Sequence, residues 1–331
     1  MLIGAYAVGM AGHINELDTE LLTVRAAELY YEENKTQDEI GAILRITRWK
    51  VGRLLHAARA EGIVRIEIAH PKARRVGMEH ALVETYGLAS VVVVPRESDS
   101  TITERVASAA ADYLVSMRPR THTLGVSWGN TLHHLATALP SEWSTPVRVV
   151  QVNGGVSKSA SPGLAAATAT MIAAKSGGEV TLMPTPAILE RVETKNAIEA
   201  DRSVSAVLDE ANTADTYLFS AGPATEVSIH VHSGYVDSAQ IKKLQSLGAV
   251  GDVLGRYITS EGDIADPELD QRTLGLSLAR LRQAERSIAV VAGKDKHTVA
   301  KAIVTSGLAT VLITDEDTAA FLLDLPEGKV A

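Results

Sequence analysis

Four short polar segments carry residues whose types and spacing suit a small, hydroxylated or charged ligand. In the first, residues 125–132, Ser127 and Thr131 supply hydroxyl groups where a strand-like run gives way to a helix-like run. Backbone amides at the start of a helix carry partial positive charge and bind anions. These hydroxyls, with the amides of residues 129–131, therefore predict a cradle for a phosphate group.

The other three segments offer complementary groups. Gln151 and Asn153 end the next strand-like run, and side-chain amides recognise sugar hydroxyls because they both donate and accept hydrogen bonds. Asp252 lies in a glycine-bounded turn at residues 249–256. Lys294 and Lys296 follow a further strand-like run and can neutralise a phosphate.

Each segment also has a purely structural interpretation. Ser127 can cap a helix, and Asn153 can stabilise its own turn. Asp252 can simply pair with Arg256, and the lysines of residues 293–296 can lie on the surface. Four such segments within one domain together favour a ligand site over four unrelated structural roles.

The elements that position these segments alternate between strands and helices. Strand-like runs such as residues 90–94, 123–126, 147–152, 216–219, 287–292 and 310–314 are separated by helix-like runs. This order predicts a doubly wound, mostly parallel, Rossmann-like α/β sheet. Ligands bind such sheets at the carboxyl ends of the strands, which is where the polar segments lie.

The first seventy residues follow a different pattern. Apolar spacing predicts helices over residues 21–33 and 37–44 and from Arg48 to about Ala60, with a strand at residues 63–68. Thr36 and Glu39 have the spacing of a capping box, and Thr47 can cap the third helix. This is the plan of a helix-turn-helix with a short wing.

The third helix would enter the major groove, led by its first residues. Residues 44–60 include several arginine and lysine residues but no acidic residue. This segment is therefore locally basic, although the net charge of the chain is −8. A three-helix bundle used only for protein contacts is the alternative. The predicted DNA contacts are Thr36, Gln37, Thr47, Arg48, Lys50 and Arg53. Trp49 can either stack on the DNA backbone or pack against the first helix.

These patterns predict a flexible leader at 1–18, a helix-turn-helix domain at 19–70, a linker at 71–88 and an effector-binding domain at 89–331. The helix expected from Met78 to Tyr86 belongs either to the linker or to the second domain. The absence of cysteine excludes disulfides and thiolate metal sites. His230 and His232 would share one face of a strand, which could bind a metal, but a structural or ligand-contact role is favoured, and we expect no metal or cofactor. The lack of an apolar run of about 20 residues predicts a cytoplasmic protein with no membrane partner.

The sequence resembles the SorC/DeoR-type sugar-binding regulators over about residues 20–325. A helix-turn-helix precedes four motifs: S-W-G-x-T-L at 127–132, N-G-G at 153–155, A-V-G-D-V-L-G-R at 249–256, and G-x-x-K at 293–296 followed by T-D-x-x-T-A at 314–319. The resemblance implies a fold similar to phosphosugar isomerases and CoA transferases. It also implies a homo-oligomer, commonly a tetramer, that binds operator DNA near carbohydrate catabolism genes and responds to a sugar or sugar-phosphate.

The resemblance also implies roles for individual residues. Those expected to hold the effector phosphate are Ser127, Gly129, Asn130, Thr131 and Lys296; those expected to face the sugar are Gln151, Asn153 and Asp252. Two residues depart from the family pattern. Gly52 replaces a serine usual in the third helix, and His297 stands where alanine is usual.

The main alternative is an enzyme, such as a sugar-phosphate isomerase on the same fold. Such chemistry needs a positioned base, and Asp252 is the best candidate, with Glu226 and His230 nearby in the sequence. A DNA-reading module is hard to explain in an enzyme, so we expect no catalytic residues.

Overall fold

A computed structural model describes residues 19–64, 74–96, 102–155 and 163–325. They divide into two compact units, one before and one after the boundary between residues 69 and 70. The predicted leader lies outside the described residues, as do residues 65–68 of the predicted wing and Lys72 of the predicted linker.

The first unit consists of three helices: α1 (19–31), α2 (Gln37–Leu44) and α3 (Arg48–Ala60). The predicted capping box is present, since the Thr36 hydroxyl accepts from the Glu39 amide and the Glu39 carboxylate accepts from the Thr36 amide. Thr47 caps α3 by accepting from the Lys50 amide. Their shared core is Ala26, Leu29, Ile40, Val51, Leu54, Leu55 and Ala58. The predicted helix-turn-helix is therefore observed.

The turn between α2 and α3 is tight. Arg45 has a left-handed conformation with φ 54° at the end of α2. A side chain at Gly41 would place its Cβ 2.9 Å from the Ile46 carbonyl oxygen, so only glycine lets the backbone of the turn approach α2 this closely.

The second unit alternates strands and helices as predicted, with additional short elements. Its strands are β1 (Ser90–Val94), β2 (Thr123–Val126), β3 (Arg148–Gln151), β4 (Val180–Thr181), β5 (Thr216–Phe219), β6 (Ala221–Pro223), β7 (Gly251–Val253), β8 (Arg256–Ile258), β9 (Ser287–Val290) and β10 (Val311–Asp315). Its helices are α4 (Val76–Tyr86), α5 (Ile102–Ser116), α6 (Asn130–Ala138), α7 (Leu164–Ser176), α8 (Val192–Glu199), α9 (Arg202–Thr213), α10 (Ile229–His232), α11 (Ser238–Ser246), α12 (Pro267–Arg272), α13 (Leu278–Arg282), α14 (His297–Thr305) and α15 (Glu316–Leu322).

Within the described residues, a seven-stranded sheet has the order β1-β10-β9-β5-β2-β3-β4, and each pair of neighbours is parallel. The chain runs outward from β2 through β3 to β4. It then returns to β5 on the other side of β2 and continues through β9 to β10. The strand order therefore reverses between β2 and β5, which is where open α/β sheets form ligand crevices.

Apolar residues cover both faces of this sheet. Its strands are therefore buried on both sides, and their sequences are nearly continuous hydrophobic runs. Residues of α5, α6 and α7 pack on one face, and residues of α4, α9, α14 and α15 pack on the other. In α4, Met78 and Leu82 are buried in one cluster with Val91 and Val93 of β1. These contacts favour the second of the two alternatives for this helix, the first helix of the second unit.

Two features differ from the sequence predictions. Asp252 does not follow a strand of the main sheet; it lies within β7, in an antiparallel sheet of order β6-β7-β8. His230 and His232 belong to the short helix α10 and not to a strand. A four-residue helix is too short to show a helical periodicity, so its H-x-H spacing looks the same as strand alternation.

Candidate functional site

A cavity of about 570 Å³ opens at the carboxyl ends of four adjacent strands of the main sheet, β9, β5, β2 and β3. Each strand is followed by a residue that lines it: Lys296 after β9, Ser220 after β5, Ser127 after β2 and Asn153 after β3. The cavity therefore lies across the point where the strand order reverses. Seven of the eight predicted effector residues line it; Gln151 does not.

The predicted phosphate cradle lies at the start of α6. Gly129 is the N-cap residue, with φ 140° and ψ 163°, and it makes no side-chain capping bond. The first amides of α6 are therefore left for another acceptor. The hydroxyl residues Ser127 and Thr131 are buried at the cavity wall, whereas Asn130 is exposed at its mouth.

Lys296 supplies a cation to the same cavity. It lies at the end of a short 3-10 turn, Lys294–Lys296, that follows β9. Burial lowers the pKa of Lys296, and the carboxylates of Asp295 and Asp252 partly offset this effect. A bound phosphate is also negatively charged, so it would raise the pKa of Lys296, as these two carboxylates do, and favour its ammonium form. Lys294 is exposed and does not line the cavity.

Asp252 is a buried residue of the cavity lining. Its Oδ2 accepts a hydrogen bond from the Gly255 amide at 3.1 Å and lies 3.3 Å from Nε2 of His230. Its Oδ1 is buried and has no hydrogen-bond partner among the described residues. A side chain at Gly222 would bring its Cβ within 2.3 Å of this Oδ1, so glycine keeps the carboxylate in place.

The suggested pair between Asp252 and Arg256 is absent from the structure. The Arg256 guanidinium forms an ion pair with Asp270 and donates to the carbonyl oxygens of residues 273, 275 and 276. Arg256 thus holds a loop together and does not pair with Asp252.

Aromatic rings form the wall behind Asp252. His230, which is 1% exposed, lies between Trp128 and Tyr257, with ring centroids 5.6 Å and 5.9 Å away. The Trp128 indole donates to the Gly154 carbonyl oxygen at 2.8 Å. Burial raises the pKa of Tyr257, and the charge of Asp252 raises it further, so the phenol is neutral. This packing restricts the orientation of the His230 ring.

The two predicted amide residues have different surroundings. Asn153 lines the cavity, and its buried Oδ1 lacks a partner within the described ranges. Gln151 is buried away from the cavity, and its Nε2 donates to the Asn153 carbonyl oxygen at 2.8 Å. The expected ligand contact of Gln151 is thus replaced by a bond that orients Asn153.

Sequence reasoning missed much of the lining. These residues are Trp128, Leu164, Ser220, Ala221, Gly222, Pro223, Val227, Ser228, Ile229, Leu254, Gly255 and Asp295. His232, for which a ligand contact was one of the expectations, also lines the cavity. Ser220 directly follows β5, so the strand-end rule applied to the other segments could have found it. The described residues include no group of three or more side chains arranged to hold a metal ion.

The first unit carries the predicted DNA contacts. Thr36, Thr47, Arg48, Lys50 and Arg53 are exposed, and Gln37 is half-buried. An exposed ion pair, with 3.6 Å between Arg48 Nη1 and Asp38 Oδ2, was not expected from the sequence. Most of these predicted residues lie near the starts of α2 and α3. Backbone amides and basic side chains there can bind phosphate oxygens.

A family model described as "Putative sugar-binding domain" matches residues 71–324. The chain belongs to this sugar-binding domain family. The deoxyribonucleoside regulator of Bacillus subtilis (strain 168) is 30% identical over 309 residues, covering 93% of this chain and 98% of that protein. The sorbitol operon regulator of Klebsiella pneumoniae is 29% identical over 309 residues, covering 91% and 97%.

Solved structures of family members have the same fold. The full-length sorbitol operon regulator SorC from Klebsiella pneumoniae matches with a TM-score of 0.69 and 26% identity, over 92% of this chain and 98% of that one. A domain of a possible sugar-binding transcriptional regulator from Arthrobacter aurescens TC1 also matches with a TM-score of 0.69, at 29% identity, over 77% and 100%. The resemblance to SorC/DeoR-type regulators and the predicted fold class are confirmed.

The relatives of this sugar-binding domain family member are transcriptional regulators and not isomerases. They favour the regulator over the enzyme interpretation. No helix in the described part of the chain is long and apolar enough to cross a bilayer.

Proposed function

We propose that this protein is a DNA-binding transcriptional regulator of carbohydrate catabolism whose operator affinity is controlled by a sugar or sugar-phosphate effector. One observation carries the proposal. The same cavity is lined by the uncapped start of α6, by Lys296, and by Asn153 and Asp252, whose buried Oδ1 atoms have no partner among the described residues; the chain also carries a basic helix-turn-helix.

The effector would lie with its phosphate against α6. Ser127, Thr131, the amides of residues 129–131 and Lys296 would bind the phosphate oxygens. The buried Oδ1 atoms of Asn153 and Asp252 have no donor in the part of the chain that the structure describes, and sugar hydroxyls would supply those donors. The names of relatives, which refer to a deoxyribonucleoside, sorbitol and erythritol, support a hydroxylated effector.

The first unit, predicted as residues 19–70, would bind the operator. In this proposal α3 lies in the major groove and Arg48, Lys50 and Arg53 contact phosphates and base edges. Thr36, Gln37 and Thr47 would contact the DNA backbone. The ion pair of Arg48 with Asp38 would open or rearrange on binding, because Arg48 would then bind DNA.

The same proposal places the protein in the cytoplasm, where operator DNA is found, as a homo-oligomer and specifically a tetramer. A symmetric assembly would present paired helix-turn-helix units to a palindromic operator. Sedimentation of the full chain with and without effector tests the tetramer.

Two threonines of α6 provide a matched test of the phosphate assignment. Thr131 is buried at the cavity wall, whereas Thr137 is exposed and lies outside the cavity lining. The experiment measures binding of a panel of pentose and hexose phosphates and of the same sugars without phosphate. We expect Thr131→Val to reduce the preference for the phosphorylated forms and Thr137→Val to leave it unchanged. Equal preference in Thr131→Val and the wild type would exclude this cradle.

A further inference from the structure

Trp49 is the second residue of α3 and is 82% exposed. Tryptophan is highly buried on average, so an indole with this exposure on a small folded unit requires an explanation. Of the two sequence interpretations, packing against α1 is excluded by this exposure. The side chain is an apolar group without cover among the described residues of its own unit.

The direction of Trp49 follows from the periodicity of α3. Successive residues of a helix are rotated by about 100°. The core residues Val51, Leu54, Leu55 and Ala58 therefore define one face, and Trp49, Arg53 and His56 lie along the opposite one. Arg53 and His56 are exposed, which agrees with this placement. Trp49 is thus in the first turn of α3, on the line that points away from the core.

Gly52 lies one helical turn beyond Trp49. A Cβ built at Gly52 would meet Gln37 Oε1 at 3.5 Å and no closer atom. A side chain would therefore fit here, so packing within the unit does not explain the glycine. Because Gly52 has no side chain, the backbone of α3 at this position can approach a partner surface closely.

We propose that Trp49 is a specificity-determining residue that contacts the C5-methyl group of a thymine in the major groove. The inference rests on the proposed DNA-binding function and adds a base preference to it. The thymine methyl is the apolar group that the base-pair edges present in the major groove, whereas the other edge groups are hydrogen-bond donors and acceptors. An apolar ring that leads the helix, flanked by the cations Arg48 and Lys50 for phosphates, matches that edge.

The test uses full-length protein and a duplex that the wild-type protein selects from a randomised pool. Each thymidine is replaced in turn by deoxyuridine, which lacks only the methyl group. We expect the wild type to lose about three- to fivefold in affinity at one position of each half-site, the effect of burying one methyl. Trp49→Ala should bind more weakly and bind the thymidine and deoxyuridine duplexes equally. Trp49→Phe should keep part of the difference, and His56→Ala, on the same exposed face, should keep all of it.

The possible failures are distinguishable. If the wild type selects no duplex, the proposed DNA-binding function fails. If it selects one but no replacement lowers its affinity, or if Trp49→Ala keeps the methyl effect, only the Trp49 inference fails. An equal loss of Trp49→Ala on both duplexes, with no methyl effect in the wild type, indicates stacking on the sugar-phosphate backbone instead.

Discussion

His230 Nε2 lies 3.3 Å from Oδ2 of Asp252, while the other carboxylate oxygen, Oδ1, has no partner among the described residues. The histidine is held between Trp128 and Tyr257, so it fixes one oxygen of the carboxylate. Asp252 Oδ1 is buried, so water does not replace a missing hydrogen-bond donor. A ligand donor to this oxygen would therefore contribute strongly to binding. In the proposed site, this pair would orient the Asp252 carboxylate toward a sugar hydroxyl.

Replacing Asp252 by Asn keeps the shape of the side chain and removes its charge. We expect effector affinity to fall roughly 10- to 100-fold, the loss of a hydrogen bond to a charged group. Isothermal titration calorimetry measures this affinity, with the sugar or sugar-phosphate that binds the wild type in the panel described above. Asp263→Asn is the control, because the side chain of Asp263 is 79% exposed and lies outside the cavity lining. Unchanged affinity in Asp252→Asn would contradict the assignment.

Lys296 and Lys294 are two residues apart, but only Lys296 lines the cavity. Lys296→Met should weaken binding of a phosphorylated effector roughly 10- to 100-fold through loss of a charge-assisted hydrogen bond. Lys294→Met should bind like the wild type. Equal losses in both variants would indicate a diffuse charge effect and not a specific contact.

The lowered pKa of Lys296 also predicts a pH dependence. Phosphate binds the ammonium form, and binding raises the pKa of that lysine. Affinity is therefore fully present below the pKa of Lys296 in the free protein and declines as pH rises through it. Titrations above about pH 8, where the phosphate is already a dianion, should show this decline in the wild type beginning below the ordinary lysine pKa of about 10.4. A decline that persists in Lys296→Met would assign it to another group.

Gly129, the first residue of the proposed phosphate cradle, has a conformation, φ 140° and ψ 163°, that is essentially restricted to glycine. A methyl group there meets no atom within 4 Å, so the penalty of Gly129→Ala arises from the backbone alone. We expect the free energy of unfolding by urea to fall by about 1–3 kcal/mol and effector affinity to weaken. Gly77→Ala, in α4 with ordinary φ and open space, should be neutral or stabilising.

Arg48 and Lys50 lie in the exposed first turn of α3. The double substitution Arg48→Ala with Lys50→Ala should abolish operator binding and leave the thermal unfolding of the protein unchanged. The slope of log affinity against log salt should become shallower by about one for each phosphate that the variant no longer neutralises, provided residual binding can be measured. Arg59→Ala, at the other end of the same helix, is the control. Retained binding by the double variant would refute the assigned role of α3.

Part of this site could be predicted from the sequence because parallel strands bring their carboxyl ends to one edge. That rule located Ser127, Asn153 and Lys296 without any knowledge of strand order. The capping residue Thr36 was also predictable, since a capping box is a local pattern.

Other features depend on contacts that local patterns do not encode. Asp252 was expected in a strand-end turn, but β7 has only three residues and pairs with two equally short strands. His230 lies in a four-residue helix, and its contact with Asp252 joins residues 22 positions apart. Likewise, Arg256 pairs with Asp270 and not with Asp252, which lies nearer in the sequence.

In the proposed function, effector binding in the cavity and operator binding by the helix-turn-helix are thermodynamically coupled. The direct measurement is the affinity of the full-length protein for its selected duplex, with and without a saturating sugar-phosphate that binds the cavity. We expect a change of about 5- to 150-fold, in either direction, that Asp252→Asn and Lys296→Met reduce at a fixed effector concentration. An effector that binds the cavity and leaves operator affinity unchanged would contradict it.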